Sequence, residues 1–299
     1  MEPIIHSIID KETGTWQYIV ACPNSRNAVI IDPVLNLEPT QPKIMTSSAD
    51  SLLDVVSSHN YTVVRLLETH AHADHLTAAY YLQRRLLVLQ QCKVPICTGY
   101  RIKQVQDFFA AIYNVPKTDL DGAFDHLFQD DEIFSIGNLT AQVLHLPGHT
   151  PDHSGFLIGS NIFTGDSIFN PDVGSARCDF PKGDPNALFQ SMHKLLCMPS
   201  HYNLYTGHDY PPEDSGRDPM PYVTVAEQRE RNKHVKGGTK QEEFVAWRRA
   251  RDSVLKNPRL LHQALQVNIR GGRLPRGPGN SQTSFFLTPV EIPSLLTEV

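Results

Sequence analysis

The stretch Thr69-His70-Ala71-His72-Ala73-Asp74-His75 puts four metal-ligand side chains within six residues, directly after the apolar run Val63-Val64-Arg65-Leu66-Leu67. A strand that stops in such a cluster aims several imidazoles and a carboxylate into one small volume. Histidine and aspartate suit a transition metal of borderline softness, zinc or iron. A single histidine is more often a surface or satisfied core residue. Four ligand-type residues in the order His-x-His-x-Asp-His make that bland alternative improbable.

Further ligand types recur at the ends of other apolar runs. Leu139 to Leu146 leads into Pro147-Gly148-His149-Thr150, Asn161 to Thr164 into Gly165-Asp166, and Asn203 to Thr206 into Gly207-His208-Asp209. Ligands on loops held by a rigid sheet are a common way to build a site.

The elements that must position these side chains follow from periodicity. Residues 3–9, 16–22 and 27–31 read as an antiparallel meander of strands ended by Asp32-Pro33. Residues 34–48, polar and rich in Pro and Thr, read as a loop, and 49–59 as a helix. Residues 61–67 form the strand that delivers the first cluster, after which Asp74 is expected to cap a helix. A short strand at 94–97 and an amphipathic helix at 101–113 come next. Hairpins are expected at 132–136 with 139–146 and at 156–158 with 161–164. A helix over 185–198 and a strand over 203–206 complete the pattern. Beyond residue 222 the chain turns to charged helices at 224–235 and 240–255, then to a stretch rich in Gly, Pro and Arg.

The composition is that of an ordinary globular chain. Its 299 residues are 40% hydrophobic and 20% charged, with a formal net charge of −5. A nucleic-acid footprint needs a basic excess, which this chain lacks. The 14 histidines fit metal chemistry. The five cysteines are odd in number and form no Cys-x-x-Cys pair, the usage of an intracellular chain with reduced thiols. No secretory or transit pattern opens the chain, and no apolar run approaches the ~20 residues that span a bilayer. The expectation is a cytoplasmic protein that binds neither membrane nor nucleic acid.

The ordered set His-x-His-x-Asp-His, Pro-Gly-His-Thr, Gly-Asp and Gly-His-Asp resembles the metallo-β-lactamase superfamily. Within it the chain is most similar to the branch of persulfide dioxygenases and hydroxyacylglutathione hydrolases (glyoxalase II-like). Glu68 to His75, Ser175 to Phe180, Gly207 to Tyr210, Thr224 to Glu227 and Asn268 to Gly272 carry that similarity. The resemblance implies an α/β chain folded as an αββα sandwich with C-terminal helices. It implies a catalytic domain over 1–222, a helical extension packed on it over 223–275, and an irregular tail over 276–299.

By the family's two-metal pattern, His70, His72 and His149 hold one zinc, Asp74, His75 and His208 hold a second, and Asp166 bridges them. Asp74 and Asp166 are then also the catalytic carboxylates. Two such ions share a hydroxide that attacks a carbonyl. The implied activity opens a small lactam, lactone or glutathione thioester, as in detoxification of a xenobiotic or metabolite. The rival within the same branch uses one Fe2+ bound by the counterparts of His70, His149 and Asp166 to oxidise glutathione persulfide to sulfite. A non-catalytic metal-binding protein is the third class, but such proteins usually lose ligands, and here all seven positions are filled. The expected partner is a small molecule, glutathione-linked in two of these cases, and the family suggests a homodimer.

Arg177 and Lys182 follow Asp166 in the chain and offer cations for an anionic substrate, with an ordinary salt bridge equally expected. Tyr210, next to His208, offers a hydroxyl to substrate. Cys178 reads as a packed thiol. His145, His59, His126, His153, His193, His201, His234 and His262 belong to no motif and read as surface or structural residues.

Overall fold

The computed structural model describes residues 1–38, 40, 43–277, 279, 282–290 and 292. Strands β1 (Ile4–Asp10), β2 (Thr15–Ala21) and β3 (Asn27–Ile31) form the expected meander. Next come β4 (Val34–Glu38), β5 (Lys43–Met45), α1 (Ser47–Ser58), β6 (Thr62–Leu67), β7 (Leu76–Thr77) and α2 (Ala79–Gln90). The first half ends with β8 (Ile96–Gly99), α3 (Ile102–Ile112), α4 (Lys117–Leu120) and β9 (His126–Phe128). β6, β8 and β9 add in parallel to β3, giving a mixed six-stranded sheet in the order β1-β2-β3-β6-β8-β9.

The second half supplies a second sheet. β10 (Ile133–Ile136), β11 (Leu139–His145), β12 (Ser154–Ile158) and β13 (Asn161–Gly165) run antiparallel as two hairpins. Helix α5 (Pro185–Leu196) then crosses over to β14 (Asn203–Thr206), parallel to β13, and β15 (Tyr222–Thr224) closes the edge. Helices α6 (Val225–Arg231), α7 (Gln241–Asp252) and α8 (Leu261–Asn268) follow. Among the described residues no helix is long and apolar enough to cross a membrane.

Period-2 alternation sorts each strand's side chains between two cores. Tyr18, Val20, Val29 and Ile31 point inward and meet Phe134, Val143, Phe156 and Phe163 of the second sheet. Their neighbours Ile19, Ile30 and Leu66 point outward against Leu52 of α1, Leu82 of α2 and Val267 of α8. On the far side, Leu144, Ile162 and Leu204 meet Leu188 and Met192 of α5 and Phe244 of α7. Helices thus cover both outer faces of two stacked sheets, an αββα sandwich.

Three local expectations are corrected. Residues 34–48 are not a loop: they hold β4, β5 and the start of α1, with Val34, Leu35 and Leu37 buried. β4 pairs with the distant β7 through Val34↔Thr77 and Leu35↔Leu76, and its Val34 N–H donates to Gln17 Oε1 at 2.7 Å. Such partners lie beyond any local window. Asp74 caps no helix, because β7 intervenes and α2 starts after Ala78 without a side-chain cap. The helix expected over 224–235 stops at Arg231: Asn232 is extended and its Oδ1 accepts from the N–H groups of His234 and Val235, which competes with another helical turn. Its start is as sharp as the sequence suggests, with a reciprocal Thr224–Glu227 capping box.

Helix α8 packs between the outer core of the first sheet and a satellite cluster with Phe109 and Phe180, so the C-terminal helices share core with the sandwich. Of the tail 276–299, residues 278, 280, 281, 291 and 293–299 lie outside the described residues; the rest carries neither helix nor strand.

Candidate metal centre

The loops after β6, β11, β13 and β14 meet at one end of the sandwich and bring all seven ligand-type side chains together. Three side chains far apart in sequence shape the loop after β6. Asp32, just past β3 with φ +50°, accepts from Thr69 N–H and Thr69 Oγ1, both at 2.8 Å. The buried Asp152 accepts from Ala71 N–H at 2.9 Å. Asn268, at the end of α8, donates from Nδ2 to the carbonyls of His72 and His75 and accepts from Thr77 N–H, each at 2.8 Å. A buried loop needs this full accounting of its backbone groups.

Two glycines make room. Gly148 has φ +137°, and a Cβ there would lie 2.2 Å from the Leu188 backbone nitrogen, so only glycine lets α5 pack on the turn that carries His149. At Gly207 a Cβ would meet Asp166 Oδ1 at 2.4 Å.

Each ligand is oriented by its other atoms. His149 Nδ1 donates to the Arg177 carbonyl at 2.7 Å, which leaves Nε2 facing the site. His70 Nδ1 engages Thr69 Oγ1 at 2.9 Å. Asp166 is held through its backbone: its N–H donates to His153 Nε2 at 2.9 Å, and the His153 ring stacks on His70 with centroids 4.6 Å apart. Thr15 Oγ1 lies 3.4 Å from both His75 Nδ1 and His208 Nδ1. Asp74 Oδ2 sits 3.3 Å from His75 Nδ1 and 3.2 Å from His208 Nε2.

Whether these residues fit a metal is decided by what they leave unsatisfied. His70 Nε2, His72 Nδ1, His75 Nε2 and Asp166 Oδ1 are all buried with no hydrogen-bond partner in the protein. Buried polar atoms without partners cost about 1–3 kcal/mol each. Several orphaned atoms converging at one spot are what a cation would satisfy, and the donor set is of the borderline kind that takes zinc or iron.

The grouping differs from the implied one in one respect. His70, His149 and Asp166 offer ligand atoms within 4.8 Å of one another, and so do His72, Asp74 and His75. His72, however, also turns Nε2 toward two buried acids, 3.1 Å from Asp32 Oδ1 and 3.5 Å from Glu68 Oε2. Glu68 is fixed in turn by Thr77 Oγ1. Burial pulls the His72 ring down, but the Asp32 and Glu68 carboxylates outweigh it and hold the ring well above the usual histidine range. Burial lowers His70, and the neighbouring histidines lower it further, so its ring is neutral and ready to ligate. Asp74 is opposed by burial yet held well below the usual carboxylate range by His208 and His75.

A cavity of about 510 Å³ opens onto Asp74, His149, Asp166 and His208. Arg177 and Tyr210 line it. The Arg177 side chain is committed to Asp179, with Nε 2.5 Å from Oδ1. The Tyr210 ring stacks on His208 at 5.4 Å. Lys182 is exposed in a turn at φ +66° and is not among the lining residues. Cys178 is buried, its thiol pushed up by burial, and its N–H donates to Asp252 at 2.9 Å, so it is packing. His145 lies near Asp130, away from the cluster. The sequence assigns Asp32, Asp152, Asn268 and Thr15 no role at the site, although Asp32 ends a strand and Asn268 lies in a stretch of family similarity, since each reaches the site only through the fold. His153 was placed among structural residues, and its contact with Asp166 gives that role content.

The sequence profile of the metallo-β-lactamase superfamily matches residues 11–216. Glyoxylase B2 of Dictyostelium discoideum is 42% identical over 267 residues, 88% of this chain and 89% of that protein. The Beta-lactamase hydrolase-like protein of Xylella fastidiosa (strain Temecula1) is 40% identical over 281 residues, 94% of this chain, but the chain spans only 63% of that protein's length. Among solved structures, ETHE1 from Myxococcus xanthus superposes with a TM-score of 0.70 at 27% identity, over 90% of this chain and 100% of that one. With its profile match, these relatives and a divalent-metal ligand set at the mouth of an αββα sandwich, this chain belongs to the metallo-β-lactamase superfamily.

Proposed function

We propose that the protein is a two-metal hydrolase that opens a small lactam, lactone or thioester. The observation that carries this reading is the position of the Asp166 carboxylate. Its Oδ2 lies 3.6 Å from His149 Nε2 and 3.6 Å from His208 Nε2, so it faces both ligand groups at once. His70, His149 and Asp166 would hold one ion; Asp74, His75 and His208, with Asp166 shared, would hold the other. Zinc held by these residues would supply a hydroxide source near neutral pH and a Lewis acid for the scissile carbonyl. The chain's own part is to orient and to bind. The Arg177 carbonyl fixes the His149 ring, His153 fixes Asp166, and the cavity delivers the carbonyl group to that edge. Among the described residues neither Ser nor Cys lines the cavity, which argues for water as the nucleophile.

A second reading, a mononuclear iron dioxygenase acting on glutathione persulfide, is favoured by one observation. With His72 drawn toward Asp32 and Glu68, the compact set that remains is His70, His149 and Asp166, two histidines and one carboxylate. The likeness to the persulfide dioxygenase ETHE1 of Bos taurus, 27% identical over 90% of this chain, points the same way.

Elemental analysis of protein purified anaerobically without added metal separates the two. The hydrolase predicts about two zincs per chain, with lactone, lactam or thioester hydrolysis abolished in Asp166→Asn. About one iron per chain, with O₂ consumed on adding glutathione persulfide, replaces it with the dioxygenase.

A further inference from the structure

We infer that the cavity takes a compact, uncharged ring carrying an ester or amide, rather than an anionic glutathione conjugate; the inference rests on the hydrolase reading and names its substrate class. The walls are apolar and largely aromatic. Phe109, Phe169, Phe180, Pro181, Pro258 and Leu261 line the space above the ligands. The rings of Phe109 and Phe180 stand 5.5 Å apart at a tilt of 55°, and Phe169 meets Tyr210 edge-on at 6.4 Å. Such faces bind flat apolar surface by burial and ring contact.

The two arginines of the wall are already paired. Arg177 gives Nε and Nη2 to the two oxygens of Asp179, a bidentate pair. Arg259 at the rim lies 3.3 Å from Glu12. Lys182 is not among the lining residues. A glutathione conjugate brings two carboxylates, and one held inside the cavity must either stay unpaired against apolar wall or compete with the Arg177–Asp179 pair. Burying a charge without a partner is the costlier kind of desolvation. An uncharged ring meets neither cost.

Hydrolysis of such a ring breaks its acyl C–O or C–N bond and forms a new acyl C–O bond to the oxygen of water. The released oxygen or nitrogen takes the proton.

Calorimetric titration of the zinc-loaded protein compares two inert probes: 1-indanone, a neutral bicyclic ketone, and S-methylglutathione. We expect 1-indanone to bind at least about 10-fold more tightly. Phe180→Leu should weaken it several-fold, and Asp179→Asn, which frees Arg177, should strengthen only S-methylglutathione. Tighter binding of S-methylglutathione to the unaltered protein overturns the inference, as does a ring affinity that Phe180→Leu and Phe109→Leu both leave unchanged. Turnover of phthalide and 2-indolinone is measured beside S-lactoylglutathione. A preference for S-lactoylglutathione also overturns the inference while leaving the hydrolase intact. Ring binding with no turnover of any of the three upholds the cavity's preference and removes the hydrolase instead.

Discussion

Asp166, whose carboxylate faces His149 and His208, is positioned from its backbone side. Its backbone N–H is held by His153, and the absent side chain of Gly207 leaves its Oδ1 space. The histidines divide by the same logic. Those of the centre are buried among one another, whereas His234 is packed against Trp247 with ring centroids 3.7 Å apart and Ser175 3.3 Å from its Nδ1. Burial, with Lys233 and Arg248 nearby, pulls the His234 ring down to about 3. The folded state therefore resists a proton that the unfolded chain takes up near pH 6.5. Between those two values the unfolded state binds more protons, so stability falls as pH falls and is fully present above about 6.5. His234→Gln should remove that loss. Denaturant midpoints at pH 7 and pH 4.5 should drop further for the unaltered protein than for the variant; equal drops would assign the acid lability elsewhere.

At the scale of elements, the centre is a set of strand ends tied together by one helix. α8 contributes Asn268, whose amide alone satisfies two carbonyls and one N–H of the loop between His72 and Thr77. Asn268→Ala leaves these groups without partners, at about 1–3 kcal/mol for each that stays buried. We expect clear destabilisation and cobalt(II) affinity weakened by about 10- to 100-fold, the range for residues that orient ligands. Asn268→Asp should do no better, because it keeps the acceptor and sets a carboxylate against two carbonyl oxygens. Titration with cobalt(II), followed by its visible absorption, reads the affinity separately from folding. The elements legible in sequence were those with strong local periodicity, such as β2, β6, α3 and the two hairpins of the second sheet. β7 was hidden because its partner is the distant β4, and β4 because it is buried through that pairing, while its local hairpin with the three-residue β5 is short.

Across the whole molecule, a metal held at this centre would be linked to stability. The orphaned buried atoms of His70, His75 and Asp166 burden the metal-free fold, and an ion that binds only the folded state stabilises it by about 4 kcal/mol at 1,000 times its Kd. A chelator should therefore lower the thermal midpoint, and zinc should restore it in a concentration-dependent way. His70→Ala should blunt that response; an identical midpoint with and without metal would refute the linkage. Sequence alone determined the ligand inventory, because His-x-His-x-Asp-His, His149, Asp166 and His208 are residue types at chain positions that end apolar runs. It also determined most strands and both hairpins of the second half, since period-2 alternation and turn residues act locally, while the two-sheet architecture was implied by the family resemblance. The tertiary structure alone decided how those ligands group, with His72 pulled toward Asp32 and Glu68 and Asp166 set between His149 and His208. It alone showed that Arg177 is already paired and Lys182 is off the cavity wall. The physical reason is that charge pairing and orphaned polar atoms are properties of neighbours in space, and pairs that decide the grouping here, Asp32 with His72 and Asp166 with His208, lie about forty residues apart in the chain.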